Sequence, residues 1–248
     1  MKIIPLSEGS FTVDGTKAFV PFDTGIDSMK ERPAGSLLVE IQPFVIQTAA
    51  DIILIDTGLG YDLPDGQFQL YANLEKAGIR PEQITKVLIS HLHKDHAGGI
   101  SRLVNGERFL SFPYATWYLQ KREFDYAMET KSGSYRQNDF SLLADFSKLV
   151  WLDADEGSIG DTIRYRLTGA HSKFHQVFWV EDNGTRAFFG GDVAPQLMQM
   201  KNRFIAKYDY DGKKCMELRQ QWWKEGGEQH WHFLFYHDIK SPVWQSPE

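Results

Sequence analysis

The sequence predicts a mixed α/β protein, and three observations carry that prediction. Short apolar runs rich in β-branched residues, such as Ile52-Ile53-Leu54-Ile55 and Val87-Leu88-Ile89, have the length of strands covered on both faces. Apolar residues at helical spacing recur elsewhere, in Leu70, Leu74 and Ala77 and again in Met216, Leu218, Trp222 and Trp223. Glycine and proline punctuate the boundaries between such segments. With 42% hydrophobic and 14% aromatic residues over 248 positions, the chain can fill a substantial core.

From the N-terminus, Ile3-Ile4, Phe11 to Val13, Phe19-Val20, Leu37 to Ile41 and Phe44 to Gln47 read as short strands. Gly15, Pro33, Gly35 and Pro43 separate them, which suits antiparallel pairing. The polar stretch from Asp23 to Arg32 reads as a surface loop, either a plain connector or a border of a substrate cleft. The run Ile52 to Ile55 ends in Asp56-Thr57-Gly58, and the helical stripe of Leu70, Leu74 and Ala77, with Tyr71 nearby, ends at Gly78, a C-cap residue. Pro81 to Ile89 then carries the chain into a histidine-rich stretch.

Further on, Phe109 to Phe112 reads as a strand, and Gln120 to Met128 and Phe140 to Phe146 read as helices. Tyr114, Trp117, Tyr118, Phe124, Tyr126 and Tyr135 make this third aromatic. Core packing uses such residues most often, and a hydrophobic pocket or a dimer contact would use them too. Ile163 to Leu167 and Ala187-Phe188-Phe189 are strand-like, Lys213 to Lys224 is a helix ended by Gly226-Gly227, and Trp231 to Tyr236 is the last strand.

The formal net charge is -6, with no block of five or six basic residues, which argues against nucleic acid or an anionic membrane as a partner. Cys215 is the single cysteine, read as an ordinary thiol on a helix, so no disulfide forms within the chain. Met1 to Glu8 is too short and too interrupted by Pro5 for a signal-peptide core, and no window approaches a membrane span. A cytoplasmic protein is the expectation.

The chemistry concentrates in Ser90-His91-Leu92-His93-Lys94-Asp95-His96-Ala97-Gly98-Gly99. In an extended loop, residues two apart point the same way, so His91 and His93 can grip one ion, while Asp95 and His96 face a second. Imidazole nitrogen and carboxylate oxygen are the donors that borderline divalent metals such as zinc prefer. The expected local order is strand, ligand-rich loop, then a helix begun by Ile100 and Leu103. His230 and His232 stand two apart as well, but at the far end of the last strand, where packing or surface roles fit better.

The stretch His91-x-His93-x-Asp95-His96 resembles the signature of the metallo-β-lactamase-fold hydrolases, and its longer form through Ala97-Gly98-Gly99 is similar to the acyl-homoserine lactonase and organophosphate hydrolase branches. The resemblance implies a single domain over residues 1–248 with a four-layer αββα sandwich and two mixed β-sheets. It implies that His91, His93 and His171 hold a first divalent ion, Asp95, His96 and His237 a second, and that Asp192 bridges them. Zinc is the first expectation, with Mn2+, Fe2+ or Co2+ compatible. Asp56 takes a supporting role behind the ligands, or else caps a turn, and His175 matches a non-ligating histidine. The loop at His171 departs from the pattern, with Ala170 before the histidine and Lys173-Phe174 where Pro-Gly is usual.

By the same resemblance, a metal-bridging hydroxide would open a lactone or a related ester, as in a quorum-quenching lactonase, with Asp95 and Asp192 in catalytic roles and a small-molecule substrate. Phosphotriester hydrolysis and glyoxalase-II-like thioester hydrolysis are the alternatives, and a homodimer is expected. Pro195 stands where such lactonases often carry a substrate-polarising tyrosine, for which Tyr208 or Tyr210 could substitute.

Overall fold

The computed structural model describes residues 1–245. It opens with β1 (Lys2–Pro5), β2 (Gly9–Val13), β3 (Phe19–Pro21), β4 (Leu37–Ile41) and β5 (Phe44–Gln47), where the apolar runs and turn residues place them. Next come β6 (Ile52–Ile55), helix α1 (Gln69–Lys76) just before Gly78, β7 (Lys86–Leu88) and the one-turn helix α2 (Lys94–Ala97). The middle third adds β8 (Ser101–Val104), β9 (Glu107–Leu110), β10 (Thr116–Gln120), α3 (Lys121–Glu129), α4 (Gln137–Phe140) and β11 (Leu149–Leu152). The chain then forms β12 (Glu156–Ile159), β13 (Ile163–Leu167), β14 (Gln176–Asp182), β15 (Thr185–Phe189), α5 (Leu197–Lys201), α6 (Gly212–Glu228), β16 (His232–Leu234) and β17 (Val243–Gln245).

Two six-stranded sheets organise the molecule, in the orders β1-β5-β6-β7-β10-β11 and β12-β13-β14-β15-β16-β17. Both are mixed: β6, β7, β10 and β11 run parallel, as do β15 and β16, while the other neighbours are antiparallel. Period-two alternation explains why their strands are apolar on both faces. Ile53, Ile55 and Leu88 point to a core shared with Phe178, Val180 and Phe189 of the other sheet. Leu54, Val87 and Ile89 point outward, onto a layer with Leu70, Leu74, Phe124 and Phe140. On the far side, Val177, Trp179, Phe188 and Phe233 meet Cys215 and Trp222 of α6. Helix, sheet, sheet and helix therefore stack as four layers.

Strands at the middle of each sheet end on the same rim. The C-terminal ends of β6, β7, β13, β15 and β16 deliver Asp56, the 90–96 stretch, His171, Asp192 and His237 to one place. A three-stranded sheet, β3-β2-β4, stands beside that rim and supplies one wall of the cleft over it.

Several expectations change. The helix expected from Ile100 and Leu103 is the strand β8, paired with β9, and the helical turn comes earlier, within the motif. Ile100 is buried but Leu103 is 63% exposed, so the two do not share an inward helical face. Gly98 and Gly99 press against the backbone of residues 57–59: a Cβ would come within 2.1 Å of the Leu59 carbonyl from Gly98 and 2.2 Å of the Thr57 carbonyl from Gly99. The Phe109 to Phe112 strand ends earlier, at Leu110, and the Phe140 to Phe146 helix is instead the end of α4 followed by a 3-10 turn over Ser141–Asp145. Helix α6 runs through Gly226-Gly227 instead of stopping there, because Gly226 lets the rings of Trp231 and Phe233 seat against the helix. The last predicted strand shrinks to His232–Leu234.

Candidate metal centre

The seven side chains marked by the motif converge on the strand-end rim. His91, His93, His171 and Asp192 form one group, and Asp95, His96, Asp192 and His237 form another, each with its donor atoms within 4.8 Å of one another. The two carboxylate oxygens of Asp192 divide between the groups. Oδ1 lies 3.0 Å from Nε2 of both His96 and His237, whereas Oδ2 lies 3.2 Å from His171 Nε2 and 4.0 Å from His91 Nε2. Asp95 Oδ2 stands 3.5 Å from His237 Nε2 and 3.7 Å from His96 Nε2.

Proximity here is not hydrogen bonding. Asp192 Oδ1, His91 Nε2 and His96 Nε2 are buried, yet none has a hydrogen-bond partner, although Oδ1 and His96 Nε2 are 3.0 Å apart. Buried polar atoms left unpaired cost free energy, so several of them aimed at a common centre mark a place for a cation. Five imidazoles and two carboxylates are a donor set that suits borderline divalent ions. The residues fit two such ions.

The opposite edge of most rings is fixed. His96 Nδ1 lies 2.8 Å from Asp56 Oδ2, His171 Nδ1 2.8 Å from Asp209 Oδ1, and His237 Nδ1 2.7 Å from the Glu40 carbonyl. His91 Nδ1 is 3.0 Å from Ser90 Oγ. A proton held on Nδ1 by a carboxylate or carbonyl leaves Nε2 as the free lone pair. Nδ1 of His93, by contrast, faces the site at 3.2 Å from His171 Nε2.

Asp56 and His175 lie in contact with the donor groups. Asp56 adopts a left-handed φ of +56°, accessible to aspartate at modest cost, and accepts from Ser90 N and Ser90 Oγ as well as facing His96. It joins the end of β6 to the start of the histidine stretch. His175 Nε2 accepts from the Asp192 backbone N–H at 3.2 Å, so its proton sits on Nδ1 beside Thr168 Oγ1. Two further groups escaped the sequence reading. Asp209 follows no spacing rule, and only the fold brings it to His171. Tyr236 stacks on His96 with ring centres 4.0 Å apart and donates to the Asp95 carbonyl; its place beside His237 was its one signal.

Electrostatics agree with a site awaiting positive charge. Burial, with the neighbouring histidines, holds His91, His93 and His175 well below the ordinary imidazole value, hence neutral. Burial also opposes charge on His96, but Asp192, Asp95 and Asp56 prevail and raise it well above that value. His237 is raised against its burial by Asp192 and Asp95. Burial would raise Asp192, yet His237, His96 and His171 hold it well below the usual carboxylate range. Divalent ions entering here would replace protons.

Over the rim lies a cleft of about 600 Å³. Phe19, Leu37 and Val39 line one wall, Tyr126 and Tyr135 another, and Gln196, Gln199, Tyr208 and Tyr210 a third. The loop from Asp23 to Arg32 is exposed and does not line it, so of its two readings the connector holds. Of the middle-third aromatics, Trp117 and Phe124 belong to the core, whereas Tyr126 and Tyr135 reach the cleft. Tyr208 lies with its ring centre 6.2 Å from that of His171, whereas Tyr210 is 67% exposed. His230 and His232 join neither group.

Known proteins resemble this chain in sequence and in fold. Residues 40–244 match the sequence profile of the metallo-beta-lactamase superfamily. The chain is 34% identical over 119 residues to the N-acyl homoserine lactonase AttM of Azorhizobium caulinodans, covering 44% of this chain and 40% of that protein. It is 29% identical over 151 residues to an atrochrysone carboxyl ACP thioesterase of Passalora fulva, 60% of this chain and 37% of that one. The matched stretches thus span well under half the length of these relatives. Among solved structures, a probable metal-dependent hydrolase from Staphylococcus aureus superposes with a TM-score of 0.78 at 22% identity, covering 98% of this chain and 91% of that one. AidC, a dizinc quorum-quenching lactonase in complex with its product, superposes with a TM-score of 0.71 at 18% identity, covering 99% and 90%. At such identities these structures establish the shared fold.

Proposed function

The chain belongs to the metallo-beta-lactamase superfamily, and from that membership we propose that it is a two-metal hydrolase opening a lactone or cleaving a related acyl ester. The observation that carries the reading is the division of Asp192 between two groups of His and Asp donors, with Asp192 Oδ1, His91 Nε2 and His96 Nε2 buried and unpaired. His91, His93 and His171 would hold one ion, Asp95, His96 and His237 the other, and Asp192 both. Two divalent ions there, zinc foremost and manganese, iron or cobalt also compatible, would bring the pKa of a water down to about 7 and polarise the scissile oxygen.

The protein's part is orientation and proton handling. Asp56, Asp209 and the Glu40 carbonyl fix three imidazoles, so each ring is held with its Nε2 toward the donor groups. Asp95 is the carboxylate at the cleft floor that takes a proton from the attacking water and returns it to the leaving oxygen. Burial pushes the Tyr208 phenol up to about 12, so it stays protonated and donates a hydrogen bond to the substrate carbonyl, the service Pro195 cannot supply.

The similarity to a fungal thioesterase supports a second reading, a thioester in place of the lactone, on the same floor. The test is a pH-indicator assay of ring opening with zinc-loaded protein and a long-chain acyl-homoserine lactone, run beside an acyl thioester. Turnover that disappears on chelation and returns with zinc is expected. A protein holding both ions that opens neither substrate would sink the reading.

A further inference from the structure

Three lysines face the cleft, and among the described residues none forms an ion pair. Lys94 rises from α2 between His93 and Asp95, Lys17 stands on the turn between β2 and β3, and Lys173 follows Ser172. Lys86 pairs with Asp51, Lys121 with Asp125 and Lys213 with Glu217, and the other described lysines form no such pair. Among the described residues, no carboxylate lies within ion-pair distance of Lys17, Lys94 or Lys173. Lys94 Nζ instead lies 6.0 Å from the centre of the Phe19 ring, and Lys173 Nζ lies 5.4 Å from that of Tyr126, both rings of the cleft wall.

The carboxylates of the cleft make their short contacts with groups other than these lysines. Asp14 accepts from the N–H and hydroxyl of Thr16, Asp209 faces His171, and Asp95 and Asp192 belong to the two donor groups. Arg136 and Lys17 lie near enough to repel Lys94, while the neighbouring Asp95, a member of the second donor group, attracts it, in a chain whose formal net charge is -6. Gathering like charges costs energy, and an arriving anion recovers it.

We propose that the substrate carries an anionic group, a carboxylate or a phosphate, held chiefly by Lys94 with Lys17 and Lys173 flanking. The inference rests on the hydrolase reading and narrows it from neutral esters to acidic ones. Lys94 leads because its backbone lies inside the donor motif, which puts the anion a short acyl stretch from the scissile bond. Phe19, Leu37 and Val39 offer apolar cover for that stretch. Lys17 and Lys173 are exposed, so their attraction is the more screened by salt.

Three matched p-nitrophenyl esters test this: hexanoate, the adipate monoester with a terminal carboxylate, and 5-phosphonopentanoate. With zinc-loaded protein, KM is expected to be about tenfold lower for at least one anionic ester than for the neutral one, whichever anion is preferred identifying the group. In Lys94→Met the anionic-to-neutral ratio of kcat/KM falls toward one, and Lys94→Arg restores most of it, a ratio that general damage to the fold does not move. Equal KM values for all three esters, or a ratio unchanged in Lys94→Met, would overturn the proposal. A second readout needs no turnover: NMR line broadening of adipamate and hexanamide, which differ by one carboxylate. Stronger broadening of adipamate by wild type than by Lys94→Met supports the proposal, and equal broadening overturns it, even where no ester is cleaved. Failure to cleave any ester with both ions bound would count against the hydrolase reading separately.

Discussion

On the floor of the cleft, His91 and His96 are fully buried, and a neighbouring side chain fixes each ring, Ser90 for one and Asp56 for the other. On its walls, Lys17, Lys173 and Tyr210 are exposed. The floor is assembled from strand ends of two packed sheets and cannot shift without disturbing them. The walls come from turns, the 3-stranded sheet and the segment leading into α6. A rigid floor holds reacting groups to the small tolerances that chemistry needs, while adaptable walls select what reaches it. Substitutions in the two regions should therefore fail differently, in rate or metal content for the floor and, Tyr208 excepted, in substrate preference for the walls.

The largest effect expected of a single wall residue tests whether any wall group shares in the chemistry. Tyr208→Phe removes one hydrogen-bond donor and little volume. Steady-state kinetics with a lactone should show kcat reduced about a hundredfold with metal content unchanged. A fall confined to KM would place Tyr208 with the walls alone.

A smaller effect is expected one step behind the floor. Asp209→Asn keeps the shape beside His171 but removes the carboxylate that holds its Nδ1 proton. Metal affinity, measured by competition with a chromophoric chelator, should drop about tenfold to a hundredfold. An unchanged affinity would mean that His171 is oriented by packing alone.

The smallest concerns Glu8, fully buried beneath the floor and accepting from Leu59 N at 2.7 Å. Burial, with Asp95 adding to it, pushes the Glu8 carboxyl up from 4.5 to about 8 against the Leu59 hydrogen bond. Between those values the folded chain holds a proton that the unfolded chain has lost. Stability is therefore fully present below pH 4.5, falls as pH rises through the window, and levels off above about 8. Glu8→Gln keeps an acceptor for Leu59 and removes the titration. Urea unfolding of metal-free protein should lose a slope worth about 1 kcal/mol between pH 6 and pH 7. An identical slope in the variant would show that Glu8 is not its source.

The floor was far more legible in the sequence than the walls. His91, His93, Asp95 and His96 stand out because the motif is local, whereas the family resemblance placed His171, Asp192 and His237, each after a strand-like run. Asp209 carried no such mark, since its partner lies 38 positions away, with β14, β15 and α5 between them. Ile100 and Leu103 misled because a three-residue spacing fits a helix as well as a strand with one side chain exposed. Gly226-Gly227 read as a stop because glycine usually ends helices, whereas here it makes room for Trp231 and Phe233. Lys94 was visible inside the motif, but only the structure shows that it faces Phe19 in the cleft and forms no ion pair among the described residues.

The central claim is that two ions share Asp192. Anomalous diffraction at the zinc edge from zinc-loaded crystals tests it directly. Two peaks are predicted, one among His91, His93 and His171, the other among Asp95, His96 and His237, with Asp192 between them, and Asp192→Asn should lose at least one. A single peak in the wild type, or peaks away from Asp192, would contradict the account.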